Sequence, residues 1–555
     1  MGKFHVANSG ALDLDLPLAA LADGEMVSQG PLEPLFQVRI LVRQPTTSRY
    51  SQADASYRHH QSQPLETTGT VTFNGETNVP DIEPVPGDVS VPPKTAVIVL
   101  AAGHGTRLKS AYPKHLHKVG GIPIVQRVIR AGMGATPYKI VVLVSSGLSD
   151  LDTRLGMSGE FETLLQEPAQ GTGDAVRVGL TAVEEDTEWL VSLLGDSCLL
   201  TPETVGLLLE RAISEGNLIT VLTAKLTDAQ AYGRIARDDF GRVVEIVEKK
   251  SDDLAKRVGT TEINSGIMVL NAKWARTAIP QIEPNPNSGE YQLTDLIGIA
   301  VGQHREGQAW PVQTFIGDEF VGVGVNDRLQ LMEAEQIVRR KVLERLMQDG
   351  VTIVSAETVF IEEDVEIGRD TVIHPFTTIS GTCRIGENCT IGPATHLRNV
   401  VVGNNVEIFS STVRESTIES NSNVGPYAHL RGGTHIHEKV HIGSNTELKN
   451  ANVGSGSKIG HFGYLGDATL GENVNIGAGT VTANFDGKTK HLTAVGSDAF
   501  VGSDSVLVAP VEIGEGARTG AGSVVTRDVA PGSLVVGVPA KPREINKESP
   551  PERQG

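Results

Sequence analysis

Apolar and polar positions follow three regimes along the chain. Between 94 and 325, short apolar runs alternate with amphipathic stretches. Ala96–Ala102, Lys139–Ser145, Trp189–Leu194 and Leu218–Ala224 read as buried strands. Ile124–Ala131 and Thr201–Ile213 read as helices between them. Such alternation predicts an α/β domain in which helices cover a parallel sheet. From 327 to 349, Leu329, Met332, Ile337, Val342, Leu343 and Leu346 recur at helical intervals, and Gly350 is a fitting stop. This predicts one helix that connects two domains.

From 351 to 540 the period is six. Ile361, Ile367, Ile373, Ile379, Ile385, Ile391 and Leu397 form one series. After a phase break come Ile418, Val424, Leu430, Ile436, Ile442 and Leu448, and later Val495, Val501, Leu507, Ile513, Thr519 and Val525. Neither a helix nor a hairpin has this period. A left-handed parallel β-helix does, with one inward side chain per hexapeptide. The pattern fails at 482–493, which reads as an extruded loop of the kind that carries function. Residues 1–93 show no sustained period and gather Pro80, Pro84, Pro86, Pro92 and Pro93 at their end, so they read as a disordered extension. Residues 541–555 read as a flexible tail. The expected division is therefore 1–93, 94–326, 327–350, 351–540 and 541–555.

Composition narrows the chemistry. The 48 Lys and Arg against 67 Asp and Glu give a net charge of −19, which argues against broad nucleic-acid binding. Anionic ligands must be held by local cations. The three cysteines, Cys198, Cys383 and Cys389, lack metal-ligand spacing and point to a reducing compartment without a disulfide framework. No apolar run approaches the ~20 residues of a membrane span. The stretch 12–18 is broken by Asp13, Asp15 and Pro17, so no signal-peptide core is expected there. His435 and His437 flank the inward Ile436, so they point outward and read as surface residues rather than a metal pair.

The first strand ends in Gly103-His104-Gly105-Thr106-Arg107, with Lys114 just beyond. A glycine turn lets backbone N–H groups approach phosphate oxygens, and the two cations would supply countercharge. The spacing matches neither the dinucleotide fingerprint nor the P-loop. Leu-Ala-Ala-Gly-x-Gly-Thr-Arg followed by Pro-Lys instead resembles the sugar-nucleotide pyrophosphorylases. Further strings follow in order: Gln166 to Gly173, Leu194-Gly195-Asp196, Tyr232-Gly233, Glu248-Lys249-Lys250, Glu262 to Gly266, Val325-Asn326, Gly425 to Arg431, Glu447 to Lys449, Gly460 to Asp467 and Asn475 to Gly479. Over about 95–540 the chain resembles the bacterial bifunctional family that is both glucosamine-1-phosphate N-acetyltransferase and N-acetylglucosamine-1-phosphate uridylyltransferase.

The resemblance implies a Rossmann-like nucleotidyltransferase domain followed by an acetyltransferase coil. By matching motifs, Asp196 and Asn326 correspond to Mg²⁺ ligands, and Arg107 and Lys114 to the cations on the triphosphate. Leu100, Ala101, Ala102, Gly103, Gln166, Gly171, Thr172, Leu194 and Gly195 correspond to the uridine side of the pocket; Gly233, Glu248 and Asn264 correspond to contacts with the sugar. In the coil, His461 corresponds to the general base, and Arg431 and Lys449 to phosphate anchors. Tyr464, Asn475 and Asn484 correspond to sugar contacts, and Ala478, Ser503 and Ala521 to acetyl-CoA contacts. Lys490 falls where the family's loop carries a cation. Phe485 stands where the family has tyrosine, and the stretch before Val538-Pro539 lacks the expected arginine. A cytoplasmic homotrimer acting on small molecules is implied. Two other readings share the architecture: a monofunctional nucleotidyltransferase with an assembling coil, and a non-catalytic scaffold. The set Arg431, Lys449, His461 and Asn484 speaks against the first. Asp196, Asn326, Arg107 and Lys114 speak against the second.

Overall fold

The computed structural model describes residues 93–543, apart from 104, 227–231, 248–260, 287, 319, 322 and 323. Residues 1–92 and 544–555, and Glu248 with its two lysines, lie outside the described residues.

The first domain is built on a nine-stranded sheet. Its main order is Val312–Ile316, Ile219–Lys225, Glu262–Asn271, Trp189–Leu194, Thr95–Ala101, Lys139–Val144 and Glu162–Leu165. Strands Thr95–Ala101 and Lys139–Val144 are almost wholly buried, which explains their unbroken apolar runs. The sheet is not the wholly parallel one expected: Arg234–Arg237 and Val243–Val247 pair antiparallel at its side, and so does one strand of the main path. Glu262–Asn271 runs antiparallel to both neighbours, and its register shifts between Asn264 and Met268 around Gly266 at φ 79°. That bulge re-aims Asn264. Leu100 is in parallel register with Leu194, so the turn after Ala101 and the turn carrying Asp196 leave the sheet at the same end.

Helix Arg328–Gln348 follows, capped by Asp327, whose Oδ1 accepts N–H from Leu329 and Gln330. Its buried stripe is Ala334, Val338, Val342, Leu343 and Leu346. Leu329 and Met332, expected on that stripe, are exposed, because Leu331 between them faces the hydrophobic cluster and turns both outward. The stripe joins Val119, Ile124 and Cys198 of the first domain and the coil interior in one hydrophobic cluster. Polar contacts reinforce the junction. Arg130 makes a two-pronged bond to Asp364 at 2.9 and 3.0 Å, Arg127 pairs with Glu363, and Gly120 N–H donates to Glu335 at 2.8 Å.

The remaining chain is a parallel β solenoid, mostly of two- and three-residue strands with two of thirteen, His441–Val453 and Lys458–Leu470, stacked coil upon coil. The inward residues are the hexad positions, such as Ile379, Leu397, Leu430 and Leu448, all at most 1% exposed. Each such burial contributes ~1.5–3 kcal/mol. Thr519 is inward and polar, and it bonds Gly502 N–H and Ser505. The phase breaks have a simple cause. Ile379 pairs with Leu397 but Leu397 with Val413, so a coil shortens from 18 to 16 residues (397 − 379, 413 − 397). Thr482 pairs with Leu507, a coil of 25 residues (507 − 482) that holds the extruded loop. Lys541–Arg543, expected in the flexible tail, instead form an antiparallel strand on Leu534–Val536. That pairing satisfies the backbone groups of the last rung. Among the described residues no helix is long and apolar enough to cross a membrane.

Candidate active sites

The first site is a cleft of about 530 Å³ at the carboxyl end of the sheet. Leu100, Ala102, Gly103, Lys114, Gln166, Gly171, Thr172, Leu194, Asp196, Gly233, Asn264 and Asn326 line it. Ala101 does not: its side chain is 1% exposed and packs into the core beneath. Gly195 also stands behind the wall. A Cβ there would lie 2.8 Å from Leu100 O and from Ala101 Cβ, so only glycine lets the two turns meet.

Four charged or polar groups converge at the cleft floor. Lys114 Nζ donates to Asp196 Oδ2 at 2.5 Å and to Asn326 Oδ1 at 3.0 Å, and Arg107 Nη2 donates to the same Asn326 oxygen at 2.8 Å. Neither Asp196 nor Asn326 is spent on capping. The helix after Asp196 is capped by Thr201, and the helix after Asn326 by Asp327. Asn326 is held instead by Gln330 Oε1 on its N–H and by Gly324 O on its amide. Gly324 approaches closely enough that a Cβ would sit 3.0 Å from Asp196 Oδ1. These hard oxygens suit a small divalent cation such as Mg²⁺.

The far wall is equally constrained. Gln166 Nε2 donates to Gly171 O and to Asp174 Oδ2, and Thr172 Oγ1 accepts Leu293 N–H. Gly171 has φ 107°, and a Cβ would meet Tyr291 O at 2.5 Å. Asn264 N–H donates to Gly233 O, and its Oδ1 accepts Gly266 N–H. The sequence reading missed His115, Tyr232, Gln292 and Thr294, which also line the cleft. Burial pushes the His115 imidazole down to about 4, so it is neutral at neutral pH. Burial raises the Tyr232 phenol, and nearby Asp196 and Glu333 raise it further.

The second site lies on the solenoid. Arg431 pairs in register with Lys449, and Lys449 with Gly466, so both cations project from one face. Tyr464 and Asn484 close over that face: a Cβ on Gly466 would meet Tyr464 Oη at 2.3 Å and Asn484 Nδ2 at 2.8 Å. Asp467 accepts from Asn450 and Asn484 at 2.8 and 2.6 Å. Lys490, on the extruded loop, faces Lys449. The nearness of Lys490, with burial and Arg431 adding, holds the Lys449 ammonium below its ordinary value. Adjacent ammonium groups of this kind make an anion site.

His461 stands at the corner where this face begins, exposed, and its ring makes no hydrogen bond among the described residues. Gly479 N–H donates to Phe462 O at 2.6 Å, which brings the Ala478 corner beneath His461. A Cβ on Gly477 would touch Ser503 N, and one on Gly502 would touch Ala521 N, so Ala478, Ser503 and Ala521 form one corner column. Asn475 pairs with Lys458 and Phe500 on the preceding face, away from Arg431. Phe485 is 59% exposed and bridges to Lys490 within the extruded loop.

Comparison with known proteins follows the same division. Residues 97–257 match the MobA-like NTP transferase domain, 355–453 the GMPPB C-terminal domain, and 493–527 the bacterial transferase hexapeptide repeats. The bifunctional protein GlmU of Carboxydothermus hydrogenoformans is 40% identical over 81% of this chain and 98% of its own. That of Fervidobacterium nodosum is 43% identical over 81% and 96%, and that of Corynebacterium diphtheriae 39% identical over 81% and 93%. With an α/β cleft, a hexapeptide solenoid and these relatives spanning both, the chain belongs to the GlmU family of bifunctional proteins.

Proposed function

We propose that the two sites act in sequence, the coil first and the cleft second. The chain is a bifunctional transferase that makes UDP-N-acetylglucosamine, a precursor of cell-wall polymers. It acetylates glucosamine 1-phosphate with acetyl-CoA, then transfers UMP from UTP to the acetylated sugar phosphate with release of pyrophosphate.

In the coil, Arg431, Lys449 and Lys490 hold the sugar phosphate. His461 takes a proton from the amino nitrogen as that nitrogen attacks the thioester carbon, and coenzyme A leaves as the thiol. Tyr464 and Asn484 orient the sugar. Asn475 is a sugar contact supplied from the neighbouring face, and Ala478, Ser503 and Ala521 take the acetyl-CoA side. They stand on a neighbouring face and corner, which supports a homotrimer in which adjoining coils complete the site.

In the cleft, the sugar phosphate oxygen attacks the α-phosphorus in line with the departing pyrophosphate. Positioning and charge neutralisation do most of the work. Arg107 and Lys114 face the triphosphate. Gln166, Gly171 and Thr172, with Leu100, Ala102 and Gly103, shape the uridine pocket, Gly233 and Asn264 face the sugar, and Glu248 corresponds by its motif to a further sugar contact. Asp196 and Asn326 would hold Mg²⁺, which supplies countercharge to the phosphates. The buried free thiols fit a cytoplasmic setting.

The observation that carries this reading is the pair of separate anion-binding clusters, Lys114–Asp196–Asn326 in one domain and Arg431–Lys449–Lys490 in the other. Purified protein is supplied with each substrate set and Mg²⁺, and free thiol and pyrophosphate are followed separately. His461→Ala should stop thiol release and spare pyrophosphate release; Asp196→Ala should do the reverse. Loss of both reactions through either change in a folded protein overturns the two-site reading.

A further inference from the structure

A third face of the solenoid carries a cluster that neither reaction uses. Thr417 pairs with His435, and His435 with Asn452, in one outward column. Glu419 and His437 follow two residues later on their strands, and the inward residues between are Ile418 and Ile436, both fully buried. Glu419 therefore projects from one coil, and His435 and His437 from the next. The imidazole rings stack with centroids 4.2 Å apart and planes 22° from parallel.

One oxygen gathers the cluster. Glu419 Oε1 is 2.7 Å from His435 Nε2 and 3.1 Å from His437 Nδ1. On the other side of its ring, His437 Nε2 is 3.1 Å from Asn452 Oδ1. An amide oxygen only accepts, so Asn452 fixes the proton of a neutral His437 on Nε2. That leaves the Nδ1 lone pair facing a carboxylate oxygen. A lone pair against an anionic oxygen is repulsive, so a positive charge, carried by a proton or by a metal ion, belongs between them.

We propose that Glu419, His435 and His437 form a site for a divalent transition-metal ion of the zinc class, stapling two successive coils. Two imidazole nitrogens and one carboxylate oxygen favour such ions over Mg²⁺ or Ca²⁺, which take oxygen ligands. The ligand atoms all lie within 4.8 Å of one another. Tetrahedral bonds of ~2.0–2.1 Å require ligand spacings of ~3.3 Å, which small rotations of these half-exposed side chains reach. Side-chain exposures of 41%, 32% and 35% leave room for water as a fourth ligand. Asn452 holds the ligating ring from behind, the arrangement metal-bound histidines adopt. The site is separate from Asp196 and Asn326. It lies just after Arg431, whose carbonyl accepts the hydroxyl of Thr434 at 2.7 Å.

The test uses full-length, untagged, chelator-treated protein titrated with Zn²⁺ and with Co²⁺ by calorimetry, with thermal unfolding in parallel. The native chain should take up one saturable equivalent that His437→Ala and Glu419→Gln each lack. Asn452→Ala should weaken that equivalent about 10- to 100-fold. The unfolding midpoint should rise with Zn²⁺ in the native protein and not in the variants. Mg²⁺ in excess should not displace the ion. Uridylyl transfer by the cleft verifies that each variant is folded, and His437→Gln replaces any that is not. Equal stoichiometry and affinity in native protein and variants would overturn the proposal, as would displacement by Mg²⁺ or no saturable uptake.

Discussion

Lys114→Met removes the ammonium that ties Asp196 to Asn326 and keeps the stem. The Lys114 side chain is 9% exposed and that of Asp196 19%, so the change strands a half-sheltered carboxylate. Breaking a fully buried pair costs ~3–5 kcal/mol. Residual solvent access and the remaining hold of Arg107 on Asn326 bring the expected loss of stability to about 2 kcal/mol. The rate should suffer more. A cation aimed at charge developing in the transition state is worth roughly 10²–10³ in kcat, about 2.7–4 kcal/mol. Uridylyl transfer should fall by that factor, whereas acetyl transfer should hold within about twofold because its residues lie in the other domain. Lys114→Met combined with Asp196→Asn removes both charges. It should recover most of the stability, since matched removal of a pair is nearly neutral, and none of the rate. Denaturant midpoints and pyrophosphate release measure the two effects. Uridylyl transfer within tenfold of native in the single variant, or rate recovered in the double variant, refutes the reasoning.

Gly171→Ala forces a side chain onto φ 107° with its Cβ 2.5 Å from Tyr291 O. The strain of ~1–3 kcal/mol should raise the KM for UTP by about 5- to 150-fold without altering acetyl transfer, as steady-state kinetics of both reactions will show. In the extruded loop, His491 and the amides of Lys488 and Thr489 hold the Asp486 carboxyl far below the usual carboxylate range. A depressed carboxylate stabilises above its unfolded value near ~4 and loses that contribution only as pH falls through the folded value. Hydrogen exchange at Lys488 and Thr489 should therefore stay slow at pH ~4, and Asp486→Asn should speed it at any pH above the folded value of the carboxyl. All three thiols are buried, and burial pushes Cys198 up to about 12. Native alkylation at pH ~8 should modify none of them and denatured alkylation all three, as mass spectrometry can count.

The inward register of the solenoid was legible because a six-residue period leaves one side chain in three dimensions no choice of direction. Coil length was not: the step from 18 to 16 residues at Leu397 depends on corners that the aliphatic pattern does not mark. In the first domain the apolar runs announced the strands, but the direction of Glu262–Asn271 depends on tertiary pairing. Asp196 and Asn326 could have been helix caps by position alone; the actual caps are Thr201 and Asp327, one of them adjacent to the residue in question. His115 carried no signal in the sequence: it follows Lys114 in a short turn, and only the folded domain buries it, at 4% exposure. Glu419 escaped notice because 16 residues separate it from His435, and only coil stacking makes them neighbours.

The solenoid also works as a ruler. From Ile353 the rungs climb through Ile373, Ile391, Ile408, Val424 and Ile442 to Ile459, two residues before His461. Six steps of ~4.8 Å make about 29 Å. Rung number, rather than any contact between the catalytic centres, thus sets how far an acetylated sugar must travel from where it forms. Excising or duplicating one rung would move one centre along the axis by a fixed increment and leave the chemistry of each as it was.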